Sequence, residues 1–111
     1  MTIQYKNAVF DLTTTNLTTV LTISVSAVAV VKTVQAVHDT ASAVDTDLFL
    51  KKSGGSNVII GHEDLNKETV NMLKNTLNLE AGDTIKMQAG TANEITGVVS
   101  YAFINRENEN G

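Results

Sequence analysis

The sequence predicts an all-β fold, an antiparallel β-sandwich of Ig-like or jelly-roll-like type with about eight strands. Three observations predict it. Val, Ile and Thr together make up 35 of the 111 residues, a third of the chain. Their branched Cβ stiffens χ1 and suits a pleated surface better than a helix. Apolar and polar residues alternate with period two over several segments. Turn-forming clusters recur every 8–12 residues or so, as in a sandwich.

The first strand is expected around Ala8, Val9, Phe10 and Leu12, with Asp11 turned out, and Thr13 to Asn16 as a polar turn. Val20 to Ser26 alternates against Leu21, Ile23, Val25 and Ala27. Val28 to Val37 continues the pattern, so a break falls near Ser26-Ala27. His38 to Ser42 is a small polar loop. Val44, Thr46, Leu48 and Leu50 alternate with Asp45, Asp47, Phe49 and Lys51. Ser53-Gly54-Gly55-Ser56-Asn57 is the clearest turn, because Gly accepts positive φ. It joins Leu48–Leu50 to Val58–Ile60 as a hairpin.

Glu63 to Leu79 is open to two readings. Leu65, Thr69, Met72, Leu73 and Leu77 fall at helical spacing, and Asp64 would cap a helix. Asn66, Asn71, Asn75 and Asn78 are poor helix formers. Leu79-Glu80-Ala81-Gly82-Asp83 is a tight turn with Gly82 at positive φ, and Asp83 is expected to bond its own turn backbone. Thr84 to Ala89 alternates, Gly90 to Asn93 turns, and Ile95 to Ile104 is the last strand, with Gly97 read as a bulge. One domain over residues 1–105, its N-terminal segment extended, and a polar tail over 106–111 account for the whole chain.

Composition excludes several function classes. The formal net charge is -4 with only 8 Lys and Arg, which is no basic footprint for nucleic acid. Cys and Trp are absent and aromatics are 5 %, so disulfides and thiolate metal sites are excluded and stacking platforms are scarce. The apolar stretch Thr19–Val37 is broken by Thr22, Ser24, Ser26, Lys32, Thr33 and Gln35 and is no spanning helix. Ser26-Ala27-Val28-Ala29 imitates a signal-peptidase site without a basic n-region, and Asn16-Leu17-Thr18 is a sequon without a secretory context.

Chemistry-bearing residues are few. His38 with Asp39, Asp45 and Asp47, and His62 with Glu63 and Asp64, contain metal-ligand types. Neither matches a known ligand spacing, and both read as solvated faces. No phosphate loop, nucleophile elbow or His-Glu-x-x-His is present. Tyr101 and Phe103 share one strand face as core or interface filler. Lys51 and Lys52 read as a solubilising hairpin tip. No catalytic residue, cofactor or metal is expected, nor a nucleic-acid or membrane partner.

The chain resembles a group of small tailed-bacteriophage virion proteins of marine, cyanophage type. The residues that carry the resemblance are Lys6 to Thr18, Ala29 to Val37, Val44 to Leu48, Leu79 to Asp83, Thr84 to Met87 and Val98 to Tyr101. The group's usual proline before the second main strand is missing from Ile23–Ala27. The resemblance implies an extended segment before the glycine turn, which favours strand for Thr69 to Leu73. It also implies a non-enzymatic structural protein located in the virion and assembled in the bacterial host cytoplasm. The leading expectation is a capsid decoration or cement protein. A neck, head-to-tail or tail ring component and a receptor- or glycan-binding module on a fibre are the alternatives. The implied partners are other virion proteins, namely the major capsid protein or neck and tail proteins, and further copies in a homo-oligomer or symmetric array. Contacts are expected from Tyr5, Val9, Phe10 and Leu12 in the N-terminal segment and from Lys51, Lys52, Gly54 and Gly55 at the hairpin, because termini and loop tips reach neighbours most easily.

Overall fold

A computed structural model describes residues 2–39 and 42–105. The tail at 106–111 lies outside the described residues. Among the described residues nine strands are present: β1 (Thr2–Leu12), β2 (Thr18–Thr22), β3 (Ala27–His38), β4 (Val44–Lys51), β5 (Asn57–Leu65), β6 (Glu68–Asn71), β7 (Leu77–Leu79), β8 (Thr84–Ala89) and β9 (Ile95–Asn105). They form two antiparallel sheets. Sheet I has the order β1-β9-β3-β6, with β7 also on β3, and sheet II has the order β2-β8-β4-β5. β6 pairs with Gln35–His38 and β7 with Ala29–Val31, so the two are halves of one interrupted strand beside β3. Counted that way, eight strands alternate between the sheets in the jelly-roll order. Among the described strands, with β6 and β7 taken as one, β4–β5 is the only pair of sequence neighbours joined within one sheet, which separates the fold from a meander.

The expected alternation decides which residues face inward. Leu12, Val31, Val34, Leu48, Ile85, Met87, Ile95 and Val99 meet between the sheets with 0–1 % exposure. The segment with helical spacing contains no helix. Leu65, Met72 and Leu73 reach the core from strand ends and from the break between β6 and β7. Asn71 makes that break possible. Its Oδ1 accepts from Val34 N and Leu73 N, both at 3.1 Å, while Met72 N donates to Val34 O at 2.8 Å. The side chain takes over the ladder position that the departing backbone gives up.

Gly82 has φ 84° and Gly54 φ 76°, as the turns require. Gly97 is not at a bulge. The register shifts fall at Thr19/Leu21, Val31/Thr33 and Leu48/Phe49. A Cβ on Gly97 would lie 1.9 Å from Gln35 O and 2.5 Å from Phe10 Cζ, so the glycine is there for close approach. Among the described residues, no helix is long and apolar enough to cross a membrane.

Candidate functional site

The outer faces of the two sheets differ in character. On sheet I, the register sets Ile3, Tyr5, Asn7 and Val9 of β1 beside Ile104, Ala102, Ser100 and Val98 of β9. Those in turn lie beside Val28, Val30, Thr33 and Gln35 of β3, with Val37 next to Thr96. Ile3, Tyr5 and Val9 are 57, 77 and 83 % exposed. Lys32, at the β3 irregularity, lays its ammonium 4.8 Å from the centre of the Tyr5 ring. Asp11 and Lys32 are the charged residues on the β1, β9 and β3 parts of this face. Thr69 of β6 and Asn78 of β7 extend it as a neutral rim, beside Val37 and Val30. An antiparallel sheet that faces water on one side normally carries polar residues there.

On the inner side, β1 turns Lys6 toward Phe103, 4.6 Å from the ring centre. Phe10 and Leu12, expected at a contact surface, are buried in the core instead, because even-numbered β1 positions point at sheet II. Tyr5 and Val9 are on the surface. Tyr101 and Phe103 are half-buried on the inner face and pack against the core.

Sheet II carries an acidic cluster at one end of its outer face, while Phe49 and the exposed Ile59, paired across β4 and β5, add apolar surface farther along. β4 presents Asp45 and Asp47, and the β5 register places Asp64 opposite Asp45 and His62 opposite Asp47. His62 Nδ1 is 2.7 Å from Asp47 Oδ1 and 3.1 Å from Asp45 Oδ1, and Nε2 is 4.0 Å from Asp64 Oδ1. The hydrogen bond to Asp47 is the main reason His62 holds its proton above the usual imidazole range. Partial desolvation opposes this, and the charges of Asp45, Asp47 and Asp64 add to it. Asp45, His62 and Asp64 bring one donor atom each within 4.8 Å of one another, all exposed. One imidazole nitrogen with carboxylate oxygens is a donor set that first-row divalent cations accept. The sequence separated these residues into two groups; only the β4–β5 register unites them. His38, grouped with Asp39, Asp45 and Asp47 by sequence, is instead buried at the end of β3, where its ring contacts the carbonyls of Glu94 and Ser42.

A half-open depression of about 400 Å³ adjoins Asp45 and Asp47 and is lined also by Thr15, Gln88, Ala89 and Gly90. Gln88 Nε2 donates to Thr15 O at 3.0 Å across its edge.

At the hairpin, Gly54 is at the exposed tip and Lys51 is half-buried. Lys52 is no free solubilising charge: its Nζ is 2.6 Å from both Glu80 Oε1 and Asp83 Oδ2. Asp83, as expected, bonds its own turn, accepting from Glu80 N at 2.8 Å, and it also accepts from Ser53 N at 3.1 Å.

No family model matches the sequence, and no curated protein matches it. The fold does have solved counterparts. A chain from a structure of Bacillus endospore appendages, described as a novel family of disulfide-linked pili, superposes with a TM-score of 0.54 at 15 % identity, over 95 % of this chain and 88 % of that one. A chain of infectious bursal disease virus, Gx strain, gives a TM-score of 0.43 at 4 % identity, over 96 % of this chain and 34 % of that one. At 15 % identity the likeness to the appendage chain is one of fold alone.

Proposed function

We propose that this protein is a non-enzymatic structural subunit that works in many copies on a particle. The observation that carries the reading is the outer face of sheet I, where Ile3, Tyr5 and Val9 stand exposed among aliphatic and neutral polar residues and Asp11 and Lys32 are the charges on its β1, β9 and β3 parts. Such a face on a small rigid sandwich marks a surface for protein contact. The jelly roll supports the reading, since this architecture recurs in capsid proteins. So does the likeness to the appendage chain, whose assembly is described as disulfide-linked. This chain has no Cys, so its own assembly would be held by packing and hydrogen bonds.

The particle favoured is a tailed-phage virion, by the sequence resemblance, with the protein binding the shell as a decoration or cement subunit. A place in the neck or tail ring is the finer alternative. Quantitative mass spectrometry of purified particles tests this. A copy number near that of the major capsid protein fits a shell-wide role, a few to tens of copies fit a neck or tail ring, and absence from the particle overturns the virion reading.

A further inference from the structure

We infer that the outer face of sheet I is occupied by a second copy of this chain, packed sheet to sheet across a two-fold axis. The inference rests on the reading above that the protein assembles, and it names the surface and the partner.

The size of the face argues for this occupant. Sheet I is four strand positions wide, and β1 and β9 are 11 residues long. With strands about 4.8 Å apart and a rise of about 3.4 Å per residue, the face covers about 700 Å² in projection. A stable interface takes about 800 Å² from each partner, so two such faces laid together reach the required scale.

Its composition argues for the same occupant. An isologous contact sets a patch against itself, so it must carry little charge of one sign. Asp11 and Lys32 carry one charge of each sign, and the rest of the β1, β9 and β3 face is Val, Ile, Ala, Tyr and neutral polar residues. The chain as a whole carries -4, and the exposed carboxylates of Asp45 and Asp64 lie on sheet II, away from this face. The two acidic clusters would then point outward from the pair. Tyr5 and Val9, the most exposed apolar residues of β1, would be buried at the contact. Sheets stacked in this way keep their strands within about 30° of each other, so the long β1, β9 and β3 strands would overlap along most of their length.

The test is sedimentation velocity of the full chain over a wide concentration range, beside the double variant Tyr5→Lys/Val9→Lys and the control Thr22→Lys on the outer face of sheet II. The wild type and the control should dimerise. The double variant should keep its β circular dichroism while its dissociation constant rises at least a hundredfold. Should the variant fail to fold, concentration-dependent NMR shifts of the wild type decide, and they should fall on the side chains of Tyr5, Val9, Val98 and Ile104. A double variant that assembles as well as the wild type, or wild-type shifts confined to the β1 backbone amides, overturns the sheet-to-sheet contact and leaves the assembly reading standing. A wild type that is monomeric at every concentration overturns both this contact and self-assembly.

Discussion

Asp83 and Lys52 are 31 positions apart in the chain and 2.6 Å apart in the fold. This contact ties the turn before β8 to the start of the β4–β5 hairpin. Asp83 is almost fully buried at 1 % exposure, and two backbone N–H groups also point at its carboxylate. The same corner is fastened to the β2–β3 connection by Gly82 N to Ile23 O at 2.9 Å and Ile23 N to Asp83 O at 3.0 Å.

Asp83→Ala therefore leaves two part-buried backbone donors without their acceptor and Lys52 without its deeper partner. The expected cost is about 2–3 kcal/mol, with the Lys52 part discounted because its ammonium is half-exposed. For a domain of this size that is a drop of about 10 °C or more in Tm, read by thermal denaturation. Asp83→Asn keeps an acceptor oxygen and should fall between. A loss below about 0.5 kcal/mol for the alanine variant would mean that the corner holds without its carboxylate.

The same group sets the acid limit of stability. Burial pushes the Asp83 carboxyl up, but the bonds from Lys52, Glu80 N and Ser53 N outweigh it and hold the group below its ordinary value of 3.8. A carboxylate depressed on folding contributes stability that is present above its unfolded pKa and is lost as pH falls through the folded one. The wild type should thus lose stability below about pH 4. The Asp83→Asn variant should show a flatter acid limb in urea titrations run at successive pH values.

His62 works in the opposite direction. Its proton is held above the ordinary 6.5, chiefly by the Asp47 hydrogen bond. A raised imidazole stabilises fully below its unfolded pKa, and the contribution is lost as pH rises through the folded value. An NMR titration should place the His62 midpoint above 6.5, and Asp47→Ala should bring it back down. An unchanged midpoint in that variant would assign the shift to Asp45 and Asp64 instead.

The strands were largely legible in the sequence, and the sites much less so. Alternation at Val28–Val37 and Thr84–Ala89 marks strands wherever one face is buried. It does not say which neighbours a strand will take, so the meeting of Asp45, Asp47, His62 and Asp64 stayed hidden until the β4–β5 register was known. Phe10 and Leu12 look as available as Tyr5 and Val9 until sheet II is placed beneath them. Lys52 reads as a free tip charge because its partners lie 28 and 31 positions away. The helical spacing from Leu65 to Leu77 arises because an interrupted strand sends Met72 and Leu73 inward together at the break. Period two fails where the backbone leaves the ladder.

That break rests on Asn71. With alanine there, Val34 N and Leu73 N lose their common acceptor at the centre of sheet I. Two neutral hydrogen bonds lost at a partly buried site cost about 1–3 kcal/mol, and Asp at this position should recover most of it, since its oxygens also accept. Amide hydrogen exchange localises the effect. Faster exchange at Val34 and Leu73 with little change in the β4–β5 ladder is the expected pattern. Uniform acceleration across both sheets would instead make Asn71 a determinant of global folding rather than of the β6–β7 break.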